Sequence, residues 1–285
     1  MIFGITGNIE KENLFEVIKN IADFLLKNKT EFFIDSKLFN KSGKNPIKKF
    51  SLPINSILQK TDVILLSLGG DGTFLNTARI VGNRNIPILG VNLGNLGFLA
   101  EVRANEITRF IKEMLKGKFR VTERNILEAN VNGKKFYGLN DIVIDKANSI
   151  RMINIDAFYN DERIFKLVAD GIIISTPTGS TGYSLSSGGP VISPHSSVFS
   201  ATPICPHSLN IRPIILPDDG EITIRTLGST TARVTADGQT YFTGKSPMEV
   251  KLKKAEYTIK LVKRVNSTYF DTLKKKLLWS EDKRK

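Results

Sequence analysis

The run Val63-Ile64-Leu65-Leu66-Ser67-Leu68 places apolar side chains at nearly every position, and Gly69-Gly70-Asp71-Gly72-Thr73 follows it without a break. A strand with one solvated face alternates apolar and polar residues. A strand buried on both faces does not, and such strands belong to parallel sheets covered by helices. Ile2 to Thr6, Glu31 to Asp35 and Pro87 to Val91 read as further strands of this kind. Between them, Leu14, Val17, Ile18, Ile21, Ala22, Leu25 and Leu26 fall at helical spacing, and Thr73 to Val81 reads as a second helix. Residues 36–52 are polar and read as loop or short helix. The alternation predicts an α/β N-terminal domain with a mostly parallel sheet over residues 1–100, carrying the glycine loop.

Past residue 100 the pattern changes. One amphipathic helix is expected over Glu106 to Leu115, and then short β-type runs dominate: Ile126 to Val131, Asp141 to Asp145, Met152 to Tyr159, Ile172 to Ser175, Glu221 to Arg225, Ala232 to Ala236, Met248 to Leu252 and Tyr257 to Val262. These predict a β-rich C-terminal domain over residues 101–267, which the length of 285 residues accommodates. Asn132-Gly133 joins two such runs as a hairpin turn, since both residues tolerate the positive φ that a two-residue turn requires. Helical spacing returns at Phe270 to Leu278, so a C-terminal helix within 268–285 is expected to pack back on the first domain.

Composition excludes several classes. Cys205 is the only cysteine, which rules out an intrachain disulfide and argues against a cysteine-based metal site. His195 and His207 each follow a proline and lack metal-ligand spacing, so a structural or supporting role is expected and no protein metal site is assigned. No run approaches the roughly 18 apolar residues of a membrane span, and the start lacks a secretory signal pattern; a cytoplasmic protein with no membrane partner is expected. The net charge of +13 collects in Lys41, Lys44, Lys48, Lys49 and the tail (Lys274, Lys275, Lys276, Lys283, Arg284, Lys285) without interleaved aromatics. That pattern reads as solvated surface and not as a nucleic-acid interface.

Two segments carry candidate chemistry. The glycine loop stands between an apolar strand and a helix, where unpaired amides attract anions and glycine admits phosphate to the backbone; a tight turn capped by Asp71 is an equal reading of the loop alone. Residues 169–190, ADGIIISTPTGSTGYSLSSGGP, set Gly, Ser, Thr and Tyr directly behind a β-branched run, with Pro177 and Pro190 restraining the loop. Such a loop is suited to reading a ligand. Gly244-Lys245-Ser246 imitates the end of a P-loop but has Gln239 five positions before Gly244 and no following helix, and Gly179-Ser180-Thr181-Gly182 lacks the spacing of a hydrolase nucleophile elbow.

In this order along the chain, Gly69 to Thr73, Gly94-Asn95-Leu96-Gly97-Phe98-Leu99, Asn140-Asp141, Asp170-Gly171, Thr176 to Ser186, Pro206-His207-Ser208-Leu209 and Arg212-Pro213 resemble the NAD kinase family. The glycine loop is shared with lipid kinases, so the Thr176 to Ser186 block is the discriminating one. The resemblance implies transfer of the γ-phosphoryl of ATP to the 2′-hydroxyl of the adenosine ribose of NAD. It also implies Mg2+ or another divalent cation, and a homodimer or homotetramer in which a neighbouring subunit helps complete the site. Gly70, Gly72 and Thr73 are then expected at the donor phosphates. Asp71 is expected to be the catalytic group that orients or deprotonates the attacking hydroxyl, with indirect magnesium binding as the other role open to it.

Residue by residue, Asn140 and Asp141 match the family's Asn-Glu pair at the acceptor adenosine, with the acid one methylene shorter here. Thr181, Gly182, Tyr183, Ser184 and Ser186 match the segment around adenine and the diphosphate or nicotinamide side. Asp170 matches an acid near the nicotinamide pocket, Arg151 and Gln239 match polar contact positions, and Cys205 stands at a small pocket-wall position. Asp237, before Gly238, reads as no more than a turn acid. Two alternatives remain. A diacylglycerol-type lipid kinase would carry Gly-Thr-x-Asn-Asp-Phe-Ala after its loop, where this chain has Gly94 to Ala100. A non-catalytic NAD(P)-binding sensor would have no use for Asp71.

Overall fold

The computed structural model describes residues 1–39, 46–94 and 97–277. Lys41, Lys44, Asn95, Leu96, Lys283, Arg284, Lys285 and the end of the expected C-terminal helix lie outside the described residues. The chain divides into two compact units, residues 1–123 with 259–285, and residues 124–258.

In the first unit, strands β1 (Ile2–Gly7), β2 (Phe32–Asp35), β3 (Ser51–Leu52), β4 (Val63–Gly69), β5 (Ile88–Asn92) and β6 (Val102–Arg103) alternate with helices α1 (Leu14–Lys27), α2 (Ile54–Ile57), α3 (Asp71–Val81) and α4 (Ile107–Met114). The strands pair in parallel, β1 lying between β2 and β4, with β5 beyond β4. Residues 36–39 and 46–50 form short 3-10 turns where loop or short helix is expected. Every residue of β4 and β5 is buried, as the unbroken apolar runs require. Helix α1 turns Leu14, Val17, Ile18, Ile21, Ala22 and Leu25 into the core, and α4 turns Ile107, Phe110, Ile111 and Met114 into the same core, so this unit extends well past residue 100.

The strand order has a functional consequence. From β1 the chain winds outward to β2 and β3, then returns to build β4 and β5 on the opposite side of β1. The direction reverses between β1 and β4. In open parallel sheets the crevice outside the carboxyl ends of two such strands is where ligands bind, and here those ends are Gly7 and Gly69.

The second unit takes in most of β7 (Arg120–Val131), followed by β8 (Lys134–Gly138), β9 (Asp141–Asp145), β10 (Ile153–Tyr159), β11 (Glu162–Ala169), β12 (Gly171–Ser175), the helical turn α5 (Tyr183–Ser186), β13 (Val198–Ile204), β14 (Ile214–Pro217), β15 (Ile222–Leu227), β16 (Thr231–Ala236), β17 (Thr240–Lys245) and most of β18 (Met248–Lys263). One antiparallel sheet runs β14-β13-β12-β9-β16-β17, and β11, β10, β15 and β18 pair antiparallel in turn. Their inner faces share one core that includes Ile142, Ile144, Ile155, Ile172, Ile174 and Val250. Asn132 and Gly133 take φ of 51° and 80° between paired Val131 and Lys134, the hairpin turn that the sequence predicts.

The fold differs from the sequence reading in two particulars. The runs at 248–252 and 257–262 are one continuous strand, whose last residues pair in parallel with β5 in the first unit. Strands β11, β13, β14 and β17 are absent from the sequence reading; β13 holds Ser200, Thr202 and Pro203, yet both hydroxyl residues are fully buried. The terminal helical spacing is realised as α6 (Tyr269–Leu277), which belongs to the first unit and buries Thr272 and Leu273. Among the described residues no helix is long and apolar enough to cross a membrane.

Candidate active site

The first unit places the glycine loop where β4 ends and α3 begins, with Gly70 as the residue preceding the helix and Asp71 as its first residue. A cavity of about 450 Å³ opens there, lined by Gly7, Asn8, Lys11, Gly70, Gly72, Thr73 and Asn76 among others. It lies at the carboxyl ends of β1 and β4, at the reversal of strand order. A side chain at Gly70 or Gly72 would meet no protein atom within 4 Å. Gly70 has a negative φ of −122°, so its backbone does not demand glycine. Gly72 is the second residue of α3, and helix formation favours alanine over glycine by up to about 1 kcal/mol. Neither packing nor backbone geometry demands glycine at these two positions, and the open space beside them leaves the backbone accessible.

Asp71 turns the other way. Its Oδ2 accepts the backbone N–H of Phe98 at 2.8 Å, and its Oδ1 accepts those of Leu99 and Ala100, each at 3.0 Å. The chain after β5 is shaped to reach it. Gly90 lets residues 99 and 100 pack directly on β5, since a Cβ there would stand 2.7 Å from Ala100 Cα. At Gly97 a Cβ would overlap the Asp71 carboxylate itself. Among the described residues these contacts take three of the roughly four lone-pair positions of the carboxylate, leaving one on Oδ2. Thr73 continues the helix, its carbonyl accepting the Thr77 hydroxyl at 2.9 Å, and Thr77 in turn meets Ser67 Oγ at 2.8 Å.

In the second unit Asn140 and Asp141 stand at the entry to β9, against the loop that follows β12. The Asn140 carbonyl accepts the N–H of Thr176 at 2.9 Å and the Ser175 hydroxyl at 3.2 Å, and Thr176 Oγ1 donates to the Leu139 carbonyl at 2.6 Å. Gly179 has to be glycine because a Cβ would overlap the Asn140 carbonyl. The Asn140 amide nitrogen lies 3.6 Å from where a Cβ on Gly182 would stand, so this side chain points at the 181–183 segment. Asp141 is buried, and burial first, then the neighbouring Asp237 carboxylate, pushes its carboxyl up to about 7. Tyr183 is half exposed; burial raises its hydroxyl, with the charges of Asp145, Cys205, Asp141 and Asp170 adding in that order.

The remaining candidates divide by environment. Ser184 is fully buried with its hydroxyl 3.0 Å from Thr202 Oγ1, an internal contact. Ser186 is exposed, and Thr181 and Gly182 are half-buried beside Tyr183. Asp170 pairs with Lys146 at 2.7 Å, and Asp145 with Arg233 at 3.0 Å. Cys205 is exposed, Arg151 is exposed with its backbone tied to Ser149, and Gln239 follows the Asp237-Gly238 turn. His195 and His207 are both exposed, and among the described residues no group of three or more His, Cys, Asp or Glu could hold a metal ion. Three residues join the two loops without a sequence signal: Asn8 and Lys11, brought beside the glycine loop by the strand order, and Asp237.

A parallel sheet with a glycine loop at its reversal point, joined to an antiparallel unit with a restrained Ser/Thr loop, defines a nucleotide-dependent phosphotransferase. Residues 3–119 match the ATP-NAD kinase N-terminal domain and residues 139–264 the ATP-NAD kinase C-terminal domain. The NAD kinase of Flavobacterium johnsoniae is 36% identical over 293 residues, covering 100% of both chains, and that of Bacteroides fragilis 46% identical over 226 residues, covering 78% of each. Among solved structures, yeast NADH kinase complexed with NADH superposes with a TM-score of 0.89 at 26% identity, over 100% of this chain and 89% of that one. An NAD kinase from Archaeoglobus fulgidus in complex with ATP gives 0.76 at 23% identity, over 98% and 99%, a likeness of fold. The chain belongs to the NAD kinase family. The match to both domains leaves no place for the lipid-kinase alternative.

Proposed function

We propose that this NAD kinase carries out the ATP-dependent phosphorylation of NAD by gripping the donor phosphates with the first unit and the acceptor nucleotide with the second. The observation that carries the donor half is the open space beside Gly70 and Gly72 in the cavity at the start of α3. Phosphate oxygens there would approach the backbone N–H groups and the positive end of the helix at its start. Lys11, whose ammonium lies 3.9 Å from the Cβ position of Gly94, would supply the cation.

Asp71 takes the acceptor role. The amides of residues 98–100 hold its carboxylate by both oxygens, and the remaining position on Oδ2 receives the proton of the ribose 2′-hydroxyl as that oxygen attacks the γ-phosphorus. General-base assistance of this kind is worth about 10²- to 10⁴-fold in rate. A divalent cation fits as a companion of the triphosphate, since magnesium is commonly held by substrate phosphates and few carboxylates. Bound with the triphosphate, it would neutralise charge on the phosphates, and indirect contact through Asp71 is the other role open to that side chain.

Asn140, Asp141, Thr181, Gly182 and Tyr183 take the acceptor's adenosine, and Asp170, Arg151, Gln239, Cys205 and Ser186, on the same unit, serve its remaining parts. A homo-oligomer in which a neighbour completes the site is part of this reading, supported by Leu209 and Tyr241, large side chains of this unit that are 87% and 70% exposed. The testing experiment is NADP formation across a panel of ATP, other triphosphates and polyphosphate against NAD and NADH. NADP made from ATP and NAD supports the reading; NAD binding without NADP formation contradicts it.

A further inference from the structure

Asp237 occupies the turn between β16 and β17, with a left-handed φ of 51°, and Gly238 follows at 66°. Aspartate tolerates that conformation, and a turn acid ordinarily bonds to backbone within a residue or two of itself. Asp237 bonds elsewhere. Its Oδ1 accepts the N–H groups of Asn140 at 2.7 Å and Asp141 at 3.1 Å, and its Oδ2 accepts that of Leu139 at 2.9 Å. Its own N–H donates to the Asp141 carbonyl at 3.0 Å. A side chain 97 residues away along the chain from Asn140 therefore fixes three successive amides of one tripeptide.

The same tripeptide is fixed from its other side by Thr176 and Ser175 on the Asn140 carbonyl. With the backbone held on both sides, the side chains of Asn140 and Asp141 keep only their own rotamers to settle. The arrangement has a cost that turn formation alone would not require, since it buries one carboxylate beside another. A neutral acceptor would close the same turn.

We infer that Asp237 is a positioning residue for the acceptor nucleotide, aiming Asn140 and Asp141 through the three amide hydrogen bonds it accepts. The inference rests on the reading that Asn140 and Asp141 contact the acceptor.

Steady-state kinetics of the full chain test it, with Asp237→Ala, Asp237→Asn, Asn140→Ala and Asp141→Asn compared. The expected result is that Asp237→Ala raises KM for NAD at least tenfold and leaves KM for ATP within about twofold. Asp237→Asn, whose amide oxygen still accepts one or two of the N–H groups at the same φ, should recover much of that loss. Should the alanine variant fail to fold, the asparagine variant must still show a rise in KM for NAD alone. Equal changes in both KM values, or an unchanged KM for NAD in both Asp237 variants while Asn140→Ala raises it, overturns the positioning role. Unchanged KM for NAD in Asn140→Ala and Asp141→Asn overturns the acceptor reading first, and the inference with it.

Discussion

Asp71 and Gly97 fit one another: the carboxylate occupies the space that a side chain at position 97 would fill, 26 residues further along the chain. The absence of a Cβ is what lets the amides of Phe98, Leu99 and Ala100 close on both carboxylate oxygens. Gly97→Ala removes no reacting side chain yet displaces the Asp71 carboxylate. Turnover is expected to fall at least tenfold, with KM for ATP changed little, in a coupled assay of NADP formation.

Gly72→Ala separates folding from function. Gly72 is the second residue of α3, where alanine is the better helix former by up to about 1 kcal/mol, and no protein atom stands in its way. Thermal unfolding is expected to shift upward by a few degrees while KM for ATP rises, because the new methyl group occupies the path of the phosphates. Unchanged KM for ATP would place the phosphates elsewhere.

Lys11 lines the cavity from the end of β1 and is exposed, so its removal should not disturb the core. Lys11→Ala is expected to raise KM for ATP about tenfold, the loss of one charge-assisted contact, without a matching change for NAD. Added salt should weaken ATP binding more in the parent protein than in the variant.

Asp141 makes stability depend on pH. Burial and the adjacent Asp237 raise it from 3.8 to about 7, so the folded state holds a proton that the unfolded chain has already released. That contribution is whole below about pH 4 and is lost as the pH rises through about 7. Asp141→Asn removes the titration. Urea unfolding should show the variant more stable than the parent at pH 8, by on the order of 2 kcal/mol, with the difference shrinking towards pH 5.

What the sequence makes legible is what local physics decides. Unbroken apolar runs announce β4 and β5, helical spacing announces α1, and Asn132-Gly133 announces a hairpin, because each depends on neighbours in the chain. Strand order does not depend on neighbours. Lys11 and Asn8 reach the glycine loop only because β1 pairs with β4, and no periodicity records that pairing. The same holds for Asp237, which reads as a turn residue until its partners across the sheet are seen. Strand β13 escapes the pattern for a different reason: its buried Ser200 and Thr202 look like loop material in isolation.

Asp71 serves the attacking hydroxyl and not the binding of NAD. Turnover and calorimetric NAD affinity, measured on the same preparation of Asp71→Asn with its melting temperature recorded, separate the two roles. Turnover is expected to fall by about 10²- to 10⁴-fold with NAD affinity within a few fold of the parent; a folded variant that keeps most of its turnover would remove Asp71 from the reaction.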